Sequence, residues 1–210
     1  MTDRRATAPV RRSQGERRAE SERRLIQAAA ELIAERGIQN TSLVDIGKRA
    51  GCSHALVTHL FGSKMSLVER LNDAADEYYA DRAAAVVGAS TGFDALVAVA
   101  GLYLGLVAGP DAIGRVHLML WTEAIAHARD MRPSRAEWDD HFRSEIAGIL
   151  RDGIARGSID PGTDPAAAAL LVVGLLRGVA LQMMLDPTCI DPAQARAGVA
   201  KTLGAMLQPH

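Results

Sequence analysis

Hydrophobic residues recur at helical spacing along most of the chain. In residues 21–36 one apolar stripe consists of Leu25, Ala29, Leu32 and Ile33, and Gly37 follows where a helix would end. The same spacing predicts further helices over residues 66–82, 94–108, 111–130, 134–156, 166–185 and 192–207. Glycine and proline stand at the breaks, at Gly92, Gly109, Pro110 and Pro133. The pattern predicts an all-α protein.

Two shorter helices are predicted between Thr41 and Lys64, joined by a tight turn. Ser42 can cap the first helix, with Asp45 three residues later to return the bond. Its inward stripe would consist of Leu43, Ile46 and Ala50. Gly51 then permits a sharp turn that a Cβ would hinder. Ser53 can cap the second helix, and its inward residues would be Val57 and Phe61. This is the layout of a helix-turn-helix.

The residues left outside this packing are candidates for DNA contact. On the second helix they are His54, Ala55, Leu56, Thr58 and His59. At the edges of the unit they are Thr41, Ser42, Val44 and Lys64. A recognition helix meets base edges near its N-terminus while its flanks touch phosphate. The alternative is an ordinary pair of amphipathic surface helices, which a single glycine between them would also allow.

The N-terminal segment resembles the TetR family of bacterial transcriptional regulators. The matching residues are Gly37, Thr41, Ser42, Ile46, Ala50, Gly51, Ser53, His59, Phe61, Ser63, Lys64 and Leu67. Residues 153–187 resemble the late ligand-domain helices of regulators named for the betaine-synthesis repressor. The resemblance implies a three-helix DNA-binding domain, a helical domain that binds a ligand, and a homodimer.

Three residues depart from the family pattern. Thr58 stands where a phosphate-binding tyrosine is frequent, and Leu60 stands where an aromatic residue or His often follows. Leu56 replaces a small or hydroxylated base reader, so we expect it to contact a thymine methyl group. The operator sequence therefore does not transfer from a relative.

Composition and charge agree with this interpretation. The chain has 210 residues, 48% of them hydrophobic, and a net charge of −1. Residues 1–64 hold 12 Lys and Arg against 7 Asp and Glu, and the remainder holds 12 against 18. A basic end on an acidic body indicates a protein that presents one end to DNA.

Much of the basic excess lies in the first residues, where four Arg-Arg pairs stand among Ala, Ser, Pro and Glu. We expect residues 1–20 to form a disordered arm, because little there is apolar enough to bury. The arm could follow the DNA backbone or enter a minor groove. It could equally be a solvated tail or reflect a misjudged start codon. The charges are not followed by the apolar stretch that a secretory signal requires.

The two cysteines favour a cytoplasmic location. Cys52 and Cys189 form neither a CxxC pair nor a disulfide framework. Cys52, in the helix-turn-helix turn, is most simply a small buried residue, since nothing nearby marks it as an activated thiolate.

The apolar stretch over residues 166–185 is long enough to suggest a membrane span. Arg177 near its centre and Gln182 argue against that interpretation. A helix that is apolar on all sides is otherwise buried on two sides, and the resemblance implies that a second subunit covers one of them. The candidate dimer residues are Leu175, Gly178, Leu181, Gln182, Val199, Leu203 and Met206.

The helices between residues 93 and 156 are expected to surround a ligand cavity. The candidate ligand-binding residues are Tyr103, His117, Leu120, Trp121, Glu123 and Phe142. Aromatic residues are only 4% of the chain, too few for the complete aromatic cage that a quaternary amine would need. We therefore expect a small hydrophobic or amphipathic effector, oriented by His117 or Glu123. Each candidate could instead be an ordinary core residue.

The sequence contains no recognisable catalytic arrangement. The histidines lack metal-ligand spacing, the serines lack a nucleophile elbow, and no phosphate loop is present, so no metal or cofactor is expected. We divide the chain into the arm (1–20), the helix-turn-helix domain (21–66) and a ligand-binding and dimerisation domain (67–210). The predicted function is a dimeric, ligand-responsive repressor that binds a palindromic operator. The alternative is a helical small-molecule or lipid binding protein that does not bind DNA.

Overall fold

The computed structural model describes residues 13–88, 90–126, 129–188 and 190–209. Within these ranges it is all-α, as predicted. The helices are α1 (Gln14–Arg36), α2 (Leu43–Ala50), α3 (His54–Phe61), α4 (Lys64–Gly88), α5 (Gly92–Ala108), α6 (Ala112–Ala126), α7 (Arg132–Ala155), α8 (Pro165–Leu185) and α9 (Pro192–Leu207). A short 3-10 turn over Arg129–Met131 precedes α7.

The first helix begins earlier than the sequence pattern suggested, so the prediction of a disordered arm as far as residue 20 is wrong for residues 13–20. Ser13 and Glu16 form a capping box: the Glu16 N–H donates to Ser13 Oγ at 3.1 Å, and the Ser13 N–H donates to Glu16 Oε2 at 2.6 Å. Good helix formers follow this cap. An exposed helical turn therefore forms without an apolar stripe. Residues 1–12 of the predicted arm lie outside the described residues.

Two helix ends in the body also differ from the prediction. Helix α4 continues to Gly88, six residues past its predicted end. Helix α6 ends at Ala126 instead of Asp130. The Arg132 guanidinium explains the earlier end, because its Nε donates to the Ala124 carbonyl at 2.9 Å and so satisfies an acceptor that the helix leaves unpaired.

The buried apolar residues form two clusters, which we call the head core and the body core. The head core joins α1, α2, α3 and the first turns of α4 with α6, through residues such as Leu25, Ile46, Val57, Leu67 and Leu120. The body core joins the second half of α4 with α5, α7, α8 and α9. Helices α4 and α6 both contribute residues to the two clusters. In α6, Leu118 lies in the body core and Leu120 lies in the head core.

Helix α8 is long and apolar enough to cross a membrane by length and composition, with a mean hydropathy of 2.0 over its most apolar window. Length and composition alone are weak evidence for a membrane span, because the core helix of a folded domain can have the same length and composition. Its inward residues, among them Val172 and Leu176, are buried in the body core. Arg177 on the same helix is also buried and forms an ion pair with Asp139 of α7.

Candidate nucleic-acid interface and body cavity

Side-chain caps fix the ends of α2 and α3. Ser42 Oγ accepts from the Asp45 N–H at 3.2 Å and donates to the Asp45 carboxylate at 2.6 Å. Ser53 Oγ accepts from the Leu56 N–H at 3.2 Å. Each bond satisfies one of the amide groups that a helix N-terminus leaves free. Both predicted caps are confirmed, although Asp45 bonds the serine hydroxyl instead of the backbone N–H.

Two glycines allow α2 and α3 to meet closely. Gly51 lies in the left-handed region at φ 64°, which an L side chain adopts with strain. The sequence interpretation missed Gly47, where an added Cβ would lie 3.1 Å from both the Cys52 carbonyl oxygen and Val57 Cγ2. This close approach of a glycine to a buried residue on the next helix is visible only in three dimensions.

Helix α3 has one buried face and one exposed face, and the exposed face is mostly polar. Val57 and Phe61 are buried in the head core, as predicted. His54, Ala55, Thr58 and His59 are exposed on the opposite side, and Leu56 is half-buried between the two faces. A short helix with an exposed face of this kind can enter the DNA major groove.

The flanking candidates divide into exposed and buried residues. Ser42 is exposed at the start of α2, and Val44 is exposed on its first turn. Lys64 is half-buried, and its Nζ donates to the Gln39 carbonyl at 3.4 Å. The inclusion of Thr41 as a DNA contact is wrong. Its side chain is buried, and Oγ1 donates to the Gly37 carbonyl at 2.9 Å, so it secures the end of α1.

Some of the positively charged side chains of the head form ion pairs with carboxylates of the head. Arg49 of α2 contacts Glu35 of α1 at 2.9 Å and Glu31 at 3.3 Å, and these bonds raise the pKa of Arg49. Arg36 lies 2.8 Å from Asp45. These ion pairs hold α2 against α1. Arg36 and Arg49 are therefore already paired within the head, whereas the net positive charge of the head, which counts both partners, is unchanged.

The body holds a cavity of about 500 Å³ between α4, α5 and α7, within the range of small-molecule sites. Its apolar walls come mainly from small and aliphatic side chains, including Ala83, Val87, Val99 and Ile149. Tyr79 and Phe142 contribute aromatic rings. Its polar lining includes Ser90, Thr91, Glu145 and Asp152.

Of the six candidate ligand-binding residues, Phe142 lines this cavity. Leu120 belongs to the head core, and Glu123 accepts a hydrogen bond from Gln39 Nε2 at 2.7 Å, which joins α6 to the head. Placing these two residues in the cavity is wrong. Tyr103, His117 and Trp121 do not line it either. A helix has several buried faces in a layered bundle, and sequence periodicity cannot say which neighbour each one meets.

Tyr103, His117 and Trp121 instead belong to an inner group of aromatic and charged side chains. The Tyr103 and Phe142 rings stack with centroids 5.8 Å apart, and the His117 and Trp138 centroids lie 4.1 Å apart. The Trp121 Nε1–H donates to Asp139 at 3.2 Å. Burial holds the pKa of His117 below its usual range, although Asp76 Oδ1 lies 3.4 Å from its Nδ1 and opposes that shift.

Two arginines bring positive charge into this inner group, and each is paired. Arg135 of α7 contacts both carboxylate oxygens of Asp76 on α4, one of them at 3.1 Å. Arg177 of α8 contacts both oxygens of Asp139, one of them at 2.8 Å. Such two-point contacts compensate part of the cost of burying the charges. The sequence pattern did not identify Asp76 or Asp139, because the spacing of residues along one helix does not reveal their partners on other helices.

A larger depression of about 880 Å³ lies on the head between α1, α2 and α4. It is wide open, and charged side chains that already pair with one another line much of it. One such pair is Arg70 and Glu22, 2.8 Å apart. The smaller body cavity is the better candidate for a ligand because its walls are mainly apolar. Among the described residues, no group of three His, Cys, Asp or Glu side chains could hold a metal ion.

The exposed apolar residues of the body concentrate on α8 and the end of α9. Leu181 and Met206, two of the predicted dimer residues, are 37% and 40% exposed, and Gln182 is also exposed. Gly178 and Leu175 are half-buried. The prediction is wrong for Val199 and Leu203, which are buried within the body core of their own chain.

The sequence interpretation missed the most exposed residues of this surface. Leu170, Leu171 and Leu185 are 59%, 61% and 87% exposed. Helical spacing places Leu170, Leu181 and Leu185 along one side of α8. We call Leu170, Leu171, Leu181, Leu185 and Met206 the α8–α9 face.

Comparison with known proteins gives two family matches. Residues 25–71 match the model of bacterial regulatory proteins of the tetR family. Residues 94–208, more than half of the chain, match the model of the BetI-type transcriptional repressor C-terminal domain. The HTH-type transcriptional regulator TtgR of Pseudomonas putida is 27% identical over 190 residues, which cover 87% of this chain and 88% of TtgR.

Solved structures share the fold. A TetR transcriptional regulator from Chloroflexus aurantiacus superposes with a TM-score of 0.80 at 22% identity, covering 93% of this chain and 100% of that one. A transcriptional regulator from Saccharomonospora viridis, solved in complex with choline, gives a TM-score of 0.79 at 21% identity, covering 91% of this chain and 100% of that one.

Proposed function

Because the chain belongs to the TetR family of bacterial transcriptional regulators, we propose that it is a homodimeric repressor whose α3 helices bind a palindromic operator. A small apolar or amphipathic effector in the body cavity would release it. The observation that carries the proposal is the exposed face of α3, with His54, Thr58 and His59 outward and Val57 buried. The relatives are described as transcriptional regulators, and an enzymatic activity is not part of the proposal.

The DNA contacts follow from the position of each side chain. His54 and Ala55 begin α3, so they would meet base edges, with Leu56 against a thymine methyl group. Thr58, His59, Ser42 and Lys64 would contact phosphate, and Val44 would pack beside the backbone. In a dimer the two α3 helices would enter successive major grooves about 34 to 36 Å apart.

The homodimer would form through the α8–α9 face. Exposed leucines along one side of a helix are costly in water, and a twofold axis would bury them against their copies in a four-helix arrangement. The half-buried Gly178 lies next to this face on α8, and a Cβ added there would meet no atom within 4 Å. Because glycine has no side chain, the two α8 helices could approach each other closely at this position. Effector binding would act by linkage, favouring a separation of the two heads that fits the operator less well.

The effector site is supported by the apolar cavity between α4, α5 and α7. The structural relative from Saccharomonospora viridis was solved with choline, which supports a small-molecule effector in general. Helix α4 lines the cavity with Tyr79, Ala83 and Val87 and also carries Leu67 and Leu71 of the head core. A ligand that moves α4 would therefore move the head.

The DNA assignment is tested with duplexes that the protein selects from a random library. Changing His54→Ala should relax sequence preference at one or two positions, whereas Lys64→Ala should weaken binding to all duplexes and reduce the salt slope by about one unit. Lys201→Ala removes the same charge at an exposed position on α9 and serves as the control. Unchanged binding by the double variant His54→Ala, Lys64→Ala would contradict the assignment.

The dimer is tested by placing a charge on its proposed interface. Leu181→Asp would bury an unpaired carboxylate, at a cost of several kcal/mol, so sedimentation equilibrium should show monomers or insoluble protein. Ile125→Asp makes the same change at a 53% exposed position on α6 and should leave the assembly unchanged. A stable dimer of the Leu181→Asp variant would show that the interface lies elsewhere.

A further inference from the structure

The body cavity has an unbalanced charge. Among the described residues, its lining includes two carboxylates, Glu145 and Asp152, and no Lys or Arg. Asp152 is already engaged: it accepts from the Gly92 N–H at 3.0 Å and from Arg156 Nε at 2.8 Å. Arg156 holds the pKa of Asp152 below its usual value. Asp152 is therefore an anion whose charge is balanced within the protein.

Glu145 lacks a comparable balance. Its carboxylate lies 3.4 Å from His141 Nε2, one turn away on α7, and both side chains are substantially exposed. Glu145 thus places a carboxylate at the edge of the cavity, and among the described residues its ion-pair contact is with His141 and not with a Lys or Arg.

The side chain of Tyr79, which also lines the cavity, ends in a buried hydroxyl. Tyr79 lines the cavity and is 7% exposed, and within the described residues its hydroxyl has no hydrogen-bond partner. Burial raises the pKa of Tyr79, and the nearby charge of Glu145 raises it further, so the phenol stays protonated. Buried polar atoms in proteins usually find a partner. The Tyr79 hydroxyl is therefore an unsatisfied group beside the cavity, and it is not itself exposed to the cavity space.

The two buried arginines of the body cannot supply a counter-charge to an anionic ligand, and Arg156 is already bound to Asp152. Arg135 and Arg177 form two-point contacts with Asp76 and Asp139. Neither arginine lines the cavity. A carboxylate or phosphate in the cavity would lose its hydration and meet the Glu145 carboxylate, which is unfavourable.

We propose, on the basis of the function proposed above, that the cavity selects an effector with a protonated amine and an aliphatic chain, and that Glu145 is the residue that selects for the amine. The ammonium group would donate to the Glu145 carboxylate. The chain would lie against Ala83, Ala95 and Val99. Choline fits less well, because a compact quaternary ammonium needs aromatic faces on several sides, whereas the aromatic rings of the described lining come from Tyr79 and Phe142.

Three ligands of equal chain length test the proposal. Decylammonium, decanol and decanoate differ only in the head group, and all are titrated into the full-length protein by calorimetry below the concentrations at which they form micelles. Release of the selected operator is followed in parallel by fluorescence anisotropy. Decylammonium should bind at least about fivefold more tightly than decanol, a difference suited to a partly exposed ion pair. Decanoate should bind most weakly.

Variants separate a specific charge effect from a structural one. Glu145→Gln should reduce the affinity for decylammonium about fivefold and leave decanol unchanged, and Glu145→Lys should reverse the order of decylammonium and decanoate. Glu137→Gln makes the same chemical change at an exposed position on α7 outside the cavity and should alter neither affinity. Rescue of decanoate binding by Glu145→Lys requires a folded protein, so it excludes simple unfolding.

Two results overturn the inference in different ways. If decanol or decanoate binds as tightly as decylammonium and releases the operator, the choice of an amine is wrong while the proposed function stands. If none of the three ligands binds and none releases the operator, the cavity is not the effector site, and both the inference and that part of the proposed function fail.

Discussion

The head core and the body core bury different kinds of side chain. The head core consists of aliphatic residues, Met131 and Phe61, and its buried polar residue is Thr41, whose hydroxyl is hydrogen-bonded. The body buries Asn72, His117, Arg135 and Arg177 beside several aromatic rings. In the described chain, six polar side-chain atoms are buried without a partner, and all belong to residues 72–177.

This difference matches what each region is proposed to do. A head that keeps one shape can hold α3 at a fixed angle to DNA, and close apolar packing provides that rigidity. A body that changes conformation on ligand binding needs polar groups that lack a hydrogen-bond partner when the ligand is absent. A ligand shifts the equilibrium between two conformations only if it interacts differently with them. Of the six unsatisfied atoms, the Tyr79 hydroxyl belongs to a residue that lines the body cavity.

The largest expected effect comes from breaking one charge pair of the body. Arg177→Met leaves Asp139, whose side chain is 14% exposed, with weaker partners and should lower the free energy of unfolding by about 4 kcal/mol. The double variant Arg177→Met, Asp139→Leu should recover most of that loss, because two apolar residues can replace a buried pair. Urea denaturation at one fixed protein concentration measures both. A single variant as stable as the wild type would show that the pair is not buried in solution.

The next prediction concerns the boundary between the two cores. Leu120 is fully buried in the head core although it lies in α6, far along the chain from α1. Leu120→Ala should cost about 3 kcal/mol through a cavity and should also weaken operator binding. Leu150→Ala, an equally buried leucine of the body core, should cost a similar amount with a smaller effect on operator binding. Equal effects of both variants on DNA affinity would remove the distinction between the cores.

Two hydroxyl deletions compare a paired group with an unpaired one. Thr41→Val removes a hydroxyl that donates to Gly37 and should destabilise the protein by about 1 kcal/mol. Tyr79→Phe removes a buried hydroxyl that has no partner in the described chain and should be neutral or stabilising. Thermal unfolding of both variants measures the contrast. A clear loss of stability in Tyr79→Phe would mean that its hydroxyl is already satisfied.

The smallest effect is a pH dependence from His117. Burial lowers its pKa in the folded protein, so the unfolded chain binds a proton that the folded chain does not. Stability should therefore fall as pH decreases through the unfolded pKa of about 6.5, by at most about 0.7 kcal/mol between pH 7 and pH 6. His117→Gln should remove that part of the slope, whereas His54→Gln, at an exposed position, should retain it. Identical slopes in both variants would contradict the assignment.

The helix-turn-helix was predictable because its signals are local. Ser42, Gly51 and Ser53 act on residues within one turn of themselves, so capping and turn chemistry can be read directly from adjacent letters. The start of α1 follows the same rule: the Ser13 and Glu16 capping box was present in the sequence, and the density of arginine obscured it. The division into a domain of residues 21–66 and a domain of residues 67–210 stays a prediction. Residues of α6, from the second of these ranges, pack in the head core.

What the sequence determined by itself is therefore the set of helices, the caps that limit them and the exposed face of α3. Tertiary structure alone decided that Leu120 packs with the head, that Val199 and Leu203 are buried in their own chain, and that Tyr79 and Glu145 border one cavity. The physical reason is that helical periodicity follows from 3.6 residues per turn, which is a local property. The neighbour that each buried face meets depends on how distant helices pack together, and no local pattern records it.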